Sequence, residues 1–170
     1  MKRIFFAIGL SCLLSSVILS CNDGNLDLSQ NDFITTSASF CEESLGESTQ
    51  LLFKIKDNEA LIISFSNPVF TGIEGTEAYS IGSQSTLKYR QFDGAPTADY
   101  FCAIIPEIDP KVLNEITAVS GSIRIQTAVD NDSNLLYRIE IEGAIFNTDN
   151  NTRFANLENQ LFGEFVIPSL

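Results

Sequence analysis

Hydrophobic residues recur along most of this chain with a period of two, as strands with one buried face require. Leu51, Phe53 and Ile55 alternate with Leu52, Lys54 and Lys56. After a turn at residues 56–59, Leu61, Ile63 and Phe65 alternate with Ile62, Ser64 and Ser66. This predicts a hairpin that buries the Phe53 and Ile63 sets together, with Leu52 and Ile62 as signs that part of the other face is also covered. A second hairpin is predicted around Asn131-Asp132-Ser133-Asn134. It places Ile123, Ile125, Thr127, Tyr137, Ile139 and Ile141 inward and Arg124, Gln126, Arg138, Glu140 and Glu142 outward. Antiparallel pairing would set Arg124 near Glu140 and Glu142, a favourable cross-strand match. Further strands are predicted over 87–92, 100–105 and 161–167, with a short edge strand near 78–81. Residues 106–116 are the one helical candidate, capped by Asp109 with Pro110 at the first helical position. Residues 67–85, rich in Gly, Ser and Thr, read as loop. Eight or nine short strands with polar turns make an all-β antiparallel β-sandwich, immunoglobulin-like or similar and with one short helix, the expected fold. A closed β-barrel is the alternative.

The pattern breaks at the start. Met1-Lys2-Arg3 precedes an apolar run over 4–19 that is shorter than the roughly 20 residues a membrane-spanning helix needs. A charged start, an apolar run and a small residue before a cut predict a secretory leader over 1–20. A polar tether over 21–31 and a single domain over 32–170 would follow. The formal charge is −12, and losing Lys2 and Arg3 leaves 8 basic residues against 22 acidic ones. Such a surface repels phosphate backbones, and no basic cluster exceeds Lys88-Tyr89-Arg90, so nucleic acid is excluded as a partner. Charge alone would not hold the chain on an anionic lipid surface either. Solubility is the simplest role for the acidity. Thirteen Phe and no Trp, with the Phe set inside apolar segments, describe a core and not an aromatic binding box.

The four cysteines have different expected fates. Cys12 leaves with the leader. Ile18-Leu19-Ser20-Cys21 resembles the lipobox of bacterial lipoproteins, with Ile where Leu is usual. That resemblance implies cleavage before Cys21, a diacylglycerol thioether on its sulfur, and stable attachment through two or three acyl chains. An ordinary leader ending beside a cysteine is the alternative. Cys41 and Cys102 remain as an even pair in an oxidising compartment and are expected to form a disulfide, two free buried thiols being the other possibility.

The chain contains no histidine. Ser-His-Asp and Cys-His nucleophiles, His-ligated metals and imidazole acid–base chemistry are therefore unavailable. Gly72 to Glu77 includes no phosphate-loop lysine, and no motif implies a cofactor. Asp130, Asp132 and Asn134 imitate the first positions of a calcium loop, and Asp23, Asn25 and Asp27 repeat the spacing. Leu135 and Ile141 then stand where the loop needs its Gly and bidentate Glu. Asn131 and Asn150 begin Asn-x-Ser/Thr sequons, which a bacterial lipoprotein gives no reason to glycosylate. A pair of carboxylates could hydrolyse a glycan, but with 22 acids none is singled out.

Thr97-Ala98-Asp99-Tyr100-Phe101-Cys102 resembles strand F of immunoglobulin domains, where a Tyr stands two residues before the second core cysteine. The missing core Trp and the long chain after Cys102 limit that likeness to a sandwich hint. The Cys21-Asn22-Asp23-Gly24 start, the segment over 100–110 and the run over 115–127 resemble small lipoproteins of Bacteroidota, of the flavobacterial type, whose family has no assigned activity. The resemblance implies a cell-envelope location, lipid-anchored in the outer membrane. The expected role is a non-enzymatic binding module for an envelope protein or glycan. Loop 67–85, with Val69, Phe70 and Ile73, is the candidate surface. A carboxylate-dependent glycan hydrolase and a purely structural envelope component are the alternatives.

Overall fold

The period-two segments pair as antiparallel strands. The computed structural model describes residues 33–105, 107–147, 153–157 and 159–168. The predicted leader, Cys21 and the tether with Asp23, Asn25 and Asp27 lie outside them, as does Asn150. Among the described residues the elements are β1 (Ser39–Phe40), β2 (Leu51–Lys56), β3 (Glu59–Phe65), β4 (Gly75–Ser80), β5 (Ser85–Phe92), α1 (Ala98–Cys102), β6 (Val112–Val129), β7 (Leu135–Asn147), β8 (Arg153–Leu157) and β9 (Gln160–Ile167). They form one sheet in the order β1-β2-β3-β5-β6-β7-β8, with β4 also on β6 and β9 also on β7. The all-β antiparallel expectation holds, and a single curled sheet supplies both layers.

The long strand β6 makes the curl. Its first part pairs with β5, with Thr117 opposite Lys88, and its later part pairs with β4, with Thr127 opposite Gly75. Between them lies an irregular stretch from Ala118 to Ser122 in the ladder with β7. Gly121 sits there at φ +112°, and a Cβ on it would come within 2.7 Å of the Ala144 backbone. Only glycine allows both that conformation and that approach. Beyond the bend the two halves of the sheet face each other across the main core. Leu52, Leu61, Ile63, Leu87 and Tyr89 come from one half, and Ile123, Ile125, Tyr137, Ile139, Ile141 and Phe146 from the other. The first and last strands meet through side chains. Phe40 and Phe165 pack edge to face at 5.4 Å, and Gly163 lies against Ala38. No backbone ladder joins β1 to β9 among the described residues, so the curl stops short of a closed barrel.

Three local expectations are corrected. In the first hairpin Leu52 pairs with Ile63, Phe53 with Ile62 and Lys54 with Leu61, because the two-residue turn at Asp57-Asn58 sets Lys56 opposite Glu59. Residues directly opposite share a face, so Leu52 and Lys54 point into the main core, and Phe53 points out. Residues 100–105 are not a strand: Ala98–Cys102 is a helix. Its aromatic side chains cover the outer face of the sheet, where Phe53, Ala60, Ile62 and Phe92 form a second small core. That contact overrides the strand preference of Tyr and Phe. Residues 112–116 are not helical either. They open β6, where Tyr89 pairs with Ile116 and Arg90 with Glu115, which gives β5 a partner on its second edge.

Candidate functional site

The excursion between β5 and β6 leaves and returns at one end of the sheet. Asp93 and Lys111 close it: the Asp93 amide donates to the Lys111 carbonyl at 3.0 Å, and the Lys111 amide donates to Asp93 Oδ1 at 2.8 Å. Asp93-Gly94-Ala95-Pro96 turns the chain, and Thr97 precedes α1 in an extended conformation. Within α1, Phe101 stacks on Phe53 at 4.6 Å and Tyr100 meets the edge of Phe92 at 5.1 Å. The Cys41–Cys102 disulfide then fixes the end of α1 to the residue that follows β1, with Cα atoms 5.1 Å apart. The expected cysteine pairing is present, although Cys102 lies on a helix and not on the strand its surroundings suggested.

From Cys102 the chain crosses back to Lys111 as a strap whose described residues have no regular structure. Its apolar side chains point into solvent: Ile104 is 101 % exposed, Ile105 82 % and Ile108 83 %. Leu113, just beyond, is also largely exposed. Large apolar side chains clustered in solvent on a braced segment are the mark of a contact surface. The signal is present in the sequence as Ile104-Ile105 and Ile108, but a strand over 100–105 would place Ile104 inside.

The surface expected in loop 67–85 is smaller than its composition suggests. Val69 and Phe70 are buried. The Phe70 ring sits edge-on to Tyr137 at 5.3 Å and to Phe65 at 5.8 Å, and the Gly72 amide donates to the Tyr137 hydroxyl at 2.9 Å. This part of the loop caps the core at the end remote from Lys111. Ile73 alone of the three expected residues is exposed.

The calcium-like residues Asp130, Asp132 and Asn134 lie at the tip of the β6–β7 hairpin. Asp130 Oδ1 accepts from the amides of Asp132 and Asn134 at 2.8 Å each, and Oδ2 accepts from the Asn134 side chain at 2.9 Å. The Asn134 hydrogen bonds hold the Asp130 carboxyl below its ordinary range. Turn closure thus accounts for the spacing of these residues. Among the described residues no three acids or thiols converge as a metal site would require.

The outer face of the β6–β7 half carries the predicted charge ladder. Arg124 pairs with Glu140 and Glu142, and Arg138 pairs with Glu140 and Glu164. On the other half Lys88 and Arg90 share Glu115. Burial works against the charged forms of Glu115 and Glu140, but the hydrogen bonds and charges of their basic neighbours outweigh it and lower both carboxyls.

One ionisable group sits on the opposite face from the one that alternation alone predicts. Lys54 is 2 % exposed and lies inside the curl. Its Nζ donates to the Phe33 carbonyl at 2.7 Å and stands 5.4 Å from the centre of the Phe162 ring. Burial lowers its pKa to about 8. The contact ties the first described residue of the domain to the centre of β2. No protein-family model, curated protein or solved structure matches this chain.

Proposed function

We propose that this chain is a non-enzymatic interaction domain of the bacterial cell envelope, anchored through lipid on Cys21 and making contact through the strap 103–111. The observation that supports it is the exposure of Ile104, Ile105 and Ile108 on a segment braced by the Cys41–Cys102 bridge. A segment that buries none of these side chains gains no stability from them, so their apolarity suits a surface that meets something else. The glycan-hydrolase reading fares worse. It needs a carboxyl held protonated near neutral pH. At Glu115, Asp130 and Glu140 the surroundings act the other way and favour the charged form.

Two measurements test this. Growth with a palmitate analogue should label the wild-type protein and leave Cys21→Ala unlabelled; an unlabelled wild type refutes the anchor. A photo-crosslinking side chain at position 105 of the protein in its own envelope should give adducts that one at position 126 does not. Equal yields at the two positions, or none at either, would refute the strap as contact surface.

A further inference from the structure

We infer that the Cys41–Cys102 bridge is a reducible latch on α1. Its reduction by a dithiol frees α1 from the outer face of β2, β3 and β5 and uncovers the apolar patch of Phe53, Ala60, Ile62 and Phe92, while the main core stays folded. This goes beyond the contact surface proposed above and depends neither on the anchor nor on what that surface meets.

The bridge lies within reach of a reductant. Cys41 is exposed and Cys102 half-buried, and exposed bridges are the ones that thiols exchange most readily. A thiolate of the dithiol attacks Sγ of Cys41; the S–S bond breaks, and its electron pair leaves with Sγ of Cys102, which takes up a proton. The second thiol, as thiolate, then attacks the reductant's own sulfur in the mixed disulfide. Cys41 leaves as a thiolate and is protonated, and the dithiol ends as a disulfide. Glu42 and Glu43 follow Cys41, and Asp99 lies one helical turn before Cys102. Their charge repels an anionic thiol, so an uncharged or basic dithiol is the class this site admits.

What the bridge holds is separable from the rest of the domain. One end is fixed, because Cys41 directly follows β1, which pairs with β2. The other end is α1, which has no fully buried residue. None of the described residues from Asp93 to Lys111 belongs to the main core. The backbone of this excursion is bonded at its base, between Asp93 and Lys111, and within α1, where the Ala103 amide donates to the Asp99 carbonyl. Side chains lay α1 on the sheet: Phe101 stacks on Phe53 at 4.6 Å, and Tyr100 and Phe101 meet Phe92 edge to face at 5.1 and 6.3 Å.

The balance of these contacts is close. The two half-buried rings and the patch they cover must offset the ordering of about nine residues, Gly94 to Cys102, and the two contributions are of the same size. Without the bridge the docked and open forms therefore lie near each other in free energy. Covalent closure of the loop of about ten residues between Phe92 and Cys102 favours the docked form about 100-fold, and reduction removes that factor.

The chain has no tryptophan, so Phe101→Trp makes the indole over Phe53 the only reporter. Tyr100→Trp is a second version should the first disturb folding. The full-length protein is treated with dithiothreitol under native conditions while its free thiols are counted. On reduction the indole emission should shift to the red and become open to quenching by acrylamide. Exchange of the Ala103 amide should quicken by up to about 100-fold, while the amides of β6 and β7 keep their protection. Reoxidation should reverse both changes, and replacing both cysteines by Ser should give the reduced spectrum without reductant. An indole that stays blue and shielded with both thiols free makes the bridge a plain staple and overturns the inference. Exposure of the indole together with loss of protection in β6 and β7 also overturns it, since the bridge then braces the whole domain. A bridge that resists dithiothreitol in the folded protein does the same.

Discussion

Lys54 makes the sharpest test of the fold. Its ammonium group lies in the core with the Phe33 carbonyl and the Phe162 ring as neighbours, and burial lowers its pKa from 10.5 to about 8. Between those two pH values the unfolded chain holds a proton that the folded chain has released, so folding stability rises with pH across this window. The penalty for burying the charge is fully present below pH 8 and fades toward pH 10.5. One pH unit of difference is worth about 1.4 kcal/mol, so the gain from neutral pH to pH 10 amounts to about 2 kcal/mol. The perturbation is Lys54→Met, which keeps an unbranched chain and removes the titrating group. It also leaves the Phe33 carbonyl without its donor, at a cost of about 1–3 kcal/mol that does not vary with pH. Urea unfolding of both proteins from pH 6 to pH 10 gives the difference in stability, in which other groups common to both, such as Tyr79 and Tyr137, cancel. That difference should be flat below about pH 7 and then move in favour of the wild type by about 2 kcal/mol. A difference independent of pH would place Lys54 in water and refute the inward register of β2.

Gly121→Ala should destabilise the protein by about 3 kcal/mol or more, because a Cβ would meet the Ala144 backbone at 2.7 Å while the backbone stays at φ +112°; chemical denaturation reads it. Replacing Cys41 and Cys102 together by Ala should cost about 4 kcal/mol in the chain-entropy account, given a sequence separation of 61 residues. The midpoint of unfolding in the wild type should fall equally on reduction, and an unchanged midpoint refutes this. Glu140→Gln removes the acid shared by Arg124 and Arg138 and should cost about 1 kcal/mol at neutral pH, the partly exposed setting discounting the pair. Because Glu140 is shifted to lower pKa in the folded state, the wild-type advantage is present above the ordinary carboxylate range and is lost as pH falls below it. Paired acid titrations of the two proteins check the direction.

How much of the fold is legible in the sequence depends on which forces are local. Turn chemistry and alternation locate β2, β3, β5, β7, the later part of β6 and β9, and the Arg124 to Glu140 pairing, because side-chain period and cross-strand charge are written within a few residues. The β2–β3 turn is also legible, yet period-two alternation alone does not carry its consequence for register. A two-residue turn that pairs Lys56 with Glu59 forces odd-numbered residues of one strand opposite even-numbered residues of the other. Leu51, Phe53 and Ile55 cannot then share a face with Leu61, Ile63 and Phe65. Helix α1 is hidden for a different reason. Tyr100 and Phe101 favour strands by propensity, and only the apolar patch of Phe53, Ile62 and Phe92, distant in sequence, recruits them as a helix. The candidate site inherits that error, since exposed isoleucines cannot be told from buried ones until the strand assigned to them disappears.

The same reasoning separates the two apolar loops. Loop 67–74 contains Val69 and Phe70 because the curled sheet has an open end at Phe65 and Tyr137 that must be kept dry, and the Phe70 ring fills it. Its apolarity has a structural cause that the fold makes visible. The strap 103–111 has no such cause. The second core is already closed by Tyr100 and Phe101, and the bridge at Cys102 holds the helix in place without help from the strap. Ile104 and Ile105 come after both and cover neither core. Polar residues there would serve the fold as well and solubility better. An apolar run that no packing demands, held by a covalent brace to the end of β1, is what a surface made for contact would need.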